Sequence, residues 1–179
     1  MVAYRAHDPK SFNEDVGGRR FRNAAVAWAP DGTRTARYDK AHRVPFGEYV
    51  PWRELVGRLA DLSAVPRDAV AGHGPGRLDT PVGRLGVVVS YEVFFPARAR
   101  AAIRSGGSVL LVPTNASSYR TRQVPAQEVA AARLRALETG RAVVQAAPKL
   151  VTDSTAAASG GSRRRIEAED SNYATDLRN

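Results

Sequence analysis

The chain is predicted to be an α/β protein, and three observations carry that expectation. Short apolar runs rich in β-branched residues recur at 21–29, 85–89, 108–113 and 142–147, with the length and composition of buried strands. Between the later runs lie segments of good helix formers, 97–105 and 124–139, followed by Gly106-Gly107 and by Gly140 as helix stops. Strand and helix therefore alternate, the pattern of a layered structure in which helices cover a sheet.

Taken in order, residues 1–20 are polar and read as a loop. Residues 21–29 and 33–38 flank Pro30-Asp31-Gly32, a tight-turn sequence, and so form a hairpin. The loop 39–51 sets a lysine, a histidine and a glutamate beside two prolines. Pro45 and Pro51 stiffen the backbone, and Gly47 precedes Glu48. Such a loop can hold charged side chains in place; it also reads as ordinary surface. Trp52, Leu55, Val56, Leu59 and Leu62 recur at helical spacing, which predicts an amphipathic helix packed on the sheet. Residues 71–86 are rich in Gly and Pro, with Leu78 and Val82 in a brief hairpin. In the helix 124–139, Val129, Leu134 and Leu137 are expected to face inward. From Pro148 the apolar periodicity stops, and disorder is the expectation for a segment too polar to bury a face. The chain thus divides into a polar loop (1–20), one domain (21–147) and a disordered tail (148–179).

Composition narrows the function. The apolar fraction of 43% suits a globular chain. No run approaches the roughly 18–20 apolar residues that cross a bilayer, and residues 1–10 lack the apolar segment of a secretory signal. Without cysteine, disulfides, thiolate metal sites and a cysteine nucleophile are excluded. His7, His42 and His73 are too scattered to predict a metal site, and no cofactor is expected. The net charge of +9 attracts phosphates of any kind, including lipid head groups. The arginines are dispersed, however, and no basic run is interleaved with aromatics, so a solvated basic surface is expected and nucleic acid is not.

The most informative stretch is 85–96, where an apolar strand ends at Ser90 and turns toward a helix opened by Pro96. A sharp strand-to-helix turn lifts a nucleophile clear of a sheet and aims the following N–H groups at a forming oxyanion. The same stretch also reads as a small residue ending a strand.

Residues 38–51, Tyr-Asp-Lys-Ala-His-Arg-Val-Pro-Phe-Gly-Glu-Tyr-Val-Pro, resemble the lysine-bearing segment of bacterial apolipoprotein N-acyltransferases, members of the nitrilase or carbon–nitrogen hydrolase superfamily. Residues 89–96, Val-Ser-Tyr-Glu-Val-Phe-Phe-Pro, resemble the nucleophile segment of that family, and 113–115 and 133–141 also fit. The similarity covers roughly 20–147. It implies an incomplete nitrilase-like αββα sandwich and a Glu–Lys–Cys triad. The family passes an acyl chain from a phospholipid donor through an acyl-enzyme to the N-terminal amine of a diacylglyceryl apolipoprotein acceptor. By this resemblance Lys40 falls on the triad lysine, Ser90 on the triad cysteine and Glu48 on a second acidic residue, the catalytic candidates. Asn23, Tyr91, Glu92 and Asn115 become the substrate-binding candidates.

Two departures follow. Serine stands where the family has cysteine, which leaves open a true serine nucleophile, an engineered dead site or a natural loss. The family's general-base glutamate lies on a strand well upstream of the lysine, and Glu14 sits in a context that does not match it. The chain is therefore expected to be a fragment of the catalytic domain, inactive in isolation. The intact protein would be anchored in the cell membrane by helices absent here, with its site on the extracytoplasmic side. A soluble amidase that hydrolyses small amides and a non-catalytic remnant are the alternatives. No oligomeric state is assigned.

Overall fold

The computed structural model describes residues 13–15, 18, 20–115, 123–147, 152–155 and 164–166. Strands β2 (Arg20–Trp28) and β3 (Arg34–Asp39) pair antiparallel as the predicted hairpin. Asp31 fixes its turn by accepting the Thr33 amide and hydroxyl at 2.9 and 2.7 Å, an Asx-type closure. Strand β1 (Asn13–Asp15) pairs antiparallel with β2, and β4 (Asp68–Ala69) pairs parallel with it, completing one sheet. Residues 13–15 thus form a strand where a loop is expected from their polarity.

The second sheet has the order β10-β9-β8-β7-β6-β5 among the described residues. Strand β5 (Arg77–Thr80) and β6 (Gly83–Val87) make the short hairpin. Strands β6, β7 (Leu110–Pro113) and β8 (Val143–Ala146) run parallel, which requires crossovers. Helices α2 (Pro96–Arg104) and α3 (Gln123–Thr139) supply them. Proline opens α2, where its missing N–H costs no hydrogen bond. Gly107, between α2 and β7, packs so closely on β6 that a Cβ there would stand 2.6 Å from the Gly86 nitrogen. Strands β9 (Thr152–Thr155) and β10 (Arg164–Ile166) continue the sheet antiparallel. These two strands correct the expectation of a tail without structure; the rest of 148–179 lies outside the described residues.

Two cores define the layers. Val88, Val93, Ala99, Ala102, Leu110, Val112, Ala132, Ala136 and Val143 pack between the helices and the second sheet. Ala25, Ala27, Tyr38, Leu78, Val87 and Val89 pack between the two sheets. The result is an α/β fold with the layer order helix–sheet–sheet, consistent with a partial nitrilase-like sandwich.

Two helical expectations are corrected. Residues 52–62 give only α1 (Arg53–Val56), and Trp52 and Leu59 are 82% and 83% exposed. The apolar spacing is present, but no sheet face lies against it. The segment is held instead by Arg53, which forks onto Asp68 at 2.7 Å. In α3 the buried face is Glu128, Ala132, Arg135 and Ala136, a regular 3.6-residue stripe, while Leu134 and Leu137 are exposed and Val129 is only half-buried. Alanines let the helix approach the sheet closely, and the leucines point away.

Candidate active site

Ser90 follows the buried extended run Val87-Val88-Val89 and opens a 3₁₀ turn, Ser90–Phe94. Its φ is 49°, in the left-handed region that costs a non-glycine residue about 1–2 kcal/mol. That turn sends the side chain off the carboxyl end of the strand, where α/β sheets place their sites. The Ser90 hydroxyl donates to Glu128 Oε1 at 2.8 Å. Glu128, on α3, is fully buried, and its Oε2 accepts a long bond of 3.4 Å from Gln145 on β8.

Lys40 stands just past the end of β3, its backbone N–H on the Asn23 carbonyl at 2.8 Å. Its side chain is 2% exposed, and Nζ donates to Glu48 Oε1 at 2.7 Å. Asn23 Nδ2 reaches the same oxygen at 2.9 Å, and the Val44 N–H reaches Oε2 at 2.8 Å. The loop that presents Glu48 closes on itself, with Glu48 N–H on Val44 O, Phe46 N–H on Tyr49 O, and Phe46 at φ 56°. The structure therefore brings Lys40, Glu48 and Asn23 into one bonded group.

Glu92 links that group to Ser90. Its carboxylate is wholly buried and accepts the Tyr38 hydroxyl at 2.8 and 3.0 Å, and the backbone N–H groups of Ala41, His42 and Val89 at 2.8, 2.9 and 2.8 Å. The residues immediately after Lys40 and immediately before Ser90 are thus bonded to one carboxylate. Arg98 backs it, with Nη2 donating to the Tyr38 hydroxyl at 2.7 Å and to the Gly74 carbonyl at 2.6 Å. Burial, and then the neighbouring Glu92 charge, push the Tyr38 phenol well above its ordinary range. Glu92 was expected among the substrate-binding residues. Here both of its oxygens accept from internal donors.

Tyr91 is half-buried and meets Phe94 and Phe95 edge-on at 5.9 and 5.2 Å, while Phe95 stacks on His42 at 4.2 Å. Asn115 follows the end of β7, at the same carboxyl rim of the sheet as Ser90. Two surface depressions, one lined by Arg22, Arg37 and His73 and the other by Arg58, Asp61 and Leu62, include none of Lys40, Glu48 and Ser90. Among the described residues no cluster of three His, Asp or Glu lies together as metal ligands would.

Sequence reasoning missed Glu128 and Gln145. A signal existed for Glu128: it is the one acidic member of the stripe 128-132-135-136, whose other members include two alanines. A carboxylate on the buried face of a helix needs a partner, and here the partner is the candidate nucleophile.

A two-layered sheet core, a left-handed serine at a strand end and a buried lysine paired with a partly buried glutamate are the features of the site. The chain belongs to the carbon-nitrogen hydrolase family, whose sequence profile matches residues 9–164. The match reaches past residue 147, where the resemblance was expected to end, and takes in β9. Among curated proteins, the chain is similar to proteins named apolipoprotein N-acyltransferase. It is 34% identical to that of Geobacter metallireducens over 79% of this chain and 27% of the relative. To that of Mycolicibacterium smegmatis it is 34% identical over 69% and 21%, and to that of Gloeobacter violaceus 38% over 69% and 24%. The chain spans about a quarter of the length of these relatives. Among solved structures it resembles a mutant of the Nesterenkonia AN1 amidase from the nitrilase superfamily, with TM-score 0.58 and 22% identity over 87% of this chain and 55% of that one. It also resembles the C. elegans NitFhit protein, with TM-score 0.55 and 25% identity over 78% and 30%. Among the described residues, no helix is long and apolar enough to cross a membrane.

Proposed function

We propose that this chain carries the acyl-transfer centre of an apolipoprotein N-acyltransferase. Ser90 takes the acyl chain of a phospholipid, and the chain is then passed to the N-terminal amine of a diacylglyceryl lipoprotein. The observation that supports this reading most is the Lys40–Glu48 pair in its proline-flanked loop, a loop that Glu92 ties, through the Ala41 and Val89 amides, to the residue before Ser90. A lysine ammonium beside a forming tetrahedral oxyanion stabilises it, and donors of this kind contribute about 3–4 kcal/mol each. Glu48 holds the ammonium in register, and Asn23 holds Glu48. Tyr91 and Asn115, at the same rim, are assigned to the substrate side.

Anchoring in the membrane, with the site on its extracytoplasmic face, belongs to this reading through the family resemblance alone. Complete transfer by the isolated chain is not expected. The resemblance places a proton-accepting glutamate on an earlier strand that the residues before Lys40 do not match.

A second reading, hydrolysis of small amides, is favoured by the structural likeness to the Nesterenkonia amidase. One experiment separates the two. The protein, joined to the flanking regions its relatives possess, is incubated with phospholipid vesicles and a diacylglyceryl-cysteine peptide, and in parallel with small amides. An N-acylated peptide detected by mass supports acyl transfer. Ammonia release without peptide acylation supports the amidase and overturns the first reading.

A further inference from the structure

A serine hydroxyl is a poor nucleophile at neutral pH until a placed base removes its proton. Among the described residues, three glutamates are bonded to Lys40, to Ser90 or between their two segments, and two of them hold other donors. Glu48 holds Lys40, Asn23 and the Val44 amide, and Glu92 holds three backbone amides and the Tyr38 hydroxyl. The third, Glu128, has its Oε1 2.8 Å from Ser90 Oγ, within the reach required of a general base. Two structural features fix that geometry. The left-handed backbone of Ser90 directs its side chain, and Glu128 is carried by a 17-residue helix with Gln145 bonded to its other oxygen. A wholly buried carboxylate at this position has no role as surface charge.

We infer that Glu128 is the proton acceptor for Ser90, so that this chain holds its own serine–glutamate pair for forming an acyl-enzyme from an ester. The inference rests on the reading of Ser90 as the residue that accepts the acyl group. In the step, the Ser90 proton passes to Glu128 Oε1 while Oγ bonds to the ester carbonyl carbon, whose π electrons move to its oxygen. The tetrahedral anion then collapses, the carbonyl re-forms, and the bond to the alcohol leaving group breaks. That alcohol takes the proton back from Glu128. The products are a Ser90 ester and a free alcohol, with no net proton gained or lost. A serine in place of cysteine and a glutamate at hydrogen-bond distance from it are then parts of one arrangement. An oxygen nucleophile depends on such a base more heavily than a partly ionised thiol does.

The test uses the whole chain and a fluorophosphonate, which phosphonylates activated serines, with peptide mapping by mass and rates followed from acid to neutral pH. The unaltered chain should be labelled at Ser90, at a rate that falls as the medium is made acidic. Glu128→Gln should lower the rate by roughly 100-fold or more and remove the acidic limb of the profile, and Glu128→Asp should restore part of it. Alkylation by iodoacetamide of a Ser90→Cys chain, with and without Glu128→Gln, reports whether the turn survives. These two alkylation rates should agree within about 10-fold, since a thiol ionises unaided. Equal phosphonylation of the unaltered and Glu128→Gln chains would overturn the role of Glu128 and leave Ser90 standing. So would loss of both phosphonylation and alkylation in the glutamine variant, because it assigns Glu128 to structure alone. Absence of labelling at Ser90 in the unaltered chain would overturn both the inference and the reading beneath it.

Discussion

Removing the Glu92 carboxylate should be the most damaging single change near the site, although Glu92 is given no chemical role. In Glu92→Ala, the N–H groups of Ala41, His42 and Val89 and the Tyr38 hydroxyl all lose their acceptor; Val89 and Tyr38 lie in the core, while the Ala41 and His42 amides are only partly buried. Each buried donor left unmade costs about 1–3 kcal/mol. The two core donors alone total about 2–6 kcal/mol, a large share of the roughly 5–15 kcal/mol that holds a domain folded. Glu92→Ala is therefore expected to be severely destabilised. Glu92→Gln is the informative variant. Its amide oxygen, placed at the Oε1 position, can still accept from Ala41, His42 and the Tyr38 hydroxyl. The new NH2 group, however, faces the Val89 N–H donor to donor. One charge-assisted bond is lost and the others weaken, for a cost of about 3 kcal/mol. With a urea m-value of about 2 kcal/mol/M, the unfolding midpoint should fall by roughly 1.5 M at unchanged m. A shift smaller than about 0.5 M would refute the view that this carboxylate clamps the lysine and serine segments together.

Three further outcomes follow from the same contacts. Because the folded pKa of Tyr38 is raised, its contribution to stability is complete below its ordinary value of 10.0 and is lost as pH rises above it. In an alkaline tyrosinate titration one tyrosine should lag the others and ionise only with unfolding, and Tyr38→Phe should abolish that lag. The Arg53 fork, joined by the Val50 amide, holds the Asp68 carboxyl below its ordinary value of 3.8. A depressed carboxylate contributes stability above that pH and loses it as pH falls through the folded value. Asp68→Asn should thus cost about 1 kcal/mol at neutral pH, and the difference should vanish in strong acid, as read by urea midpoints at several pH values. Trp52→Ala and Leu59→Ala should each change stability by no more than about 0.5 kcal/mol in thermal melts, because both side chains lie in solvent.

The parts of the fold that local chemistry dictates were legible in the sequence. Pro30-Asp31-Gly32 specified its hairpin, and the apolar runs separated by glycine-ended helices specified the parallel strands β6, β7 and β8. The misreadings share a cause: spacing shows that a face exists but not what lies against it. The helical period at 52–62 has no sheet to meet. In α3 the alanine stripe, not the leucines, marks the buried side. Strands β9 and β10 carry little apolar signal, because Thr152-Asp153-Ser154-Thr155 and Arg164-Arg165-Ile166 owe their order to backbone pairing. At the site, Lys40, Glu48 and Asn23 are named together by the family resemblance; spacing alone leaves their loop as ordinary surface. Glu92, two residues from Ser90, looks from the sequence like a neighbour of substrate, yet the 3₁₀ turn carries it inward to Tyr38. Glu128, 38 residues from Ser90, meets it only through the packing of α3 on the sheet.

The measurement that reaches the centre of the account is peptide mapping by mass after exposing the folded chain to an activated fatty-acyl ester, beside a Lys40→Met chain of matched stability. The expected result is one acyl group on the peptide containing Ser90, and its loss when the lysine is replaced. Acylation that is indifferent to Lys40, or that settles on another residue, would mean that the amine and the hydroxyl do not share a site.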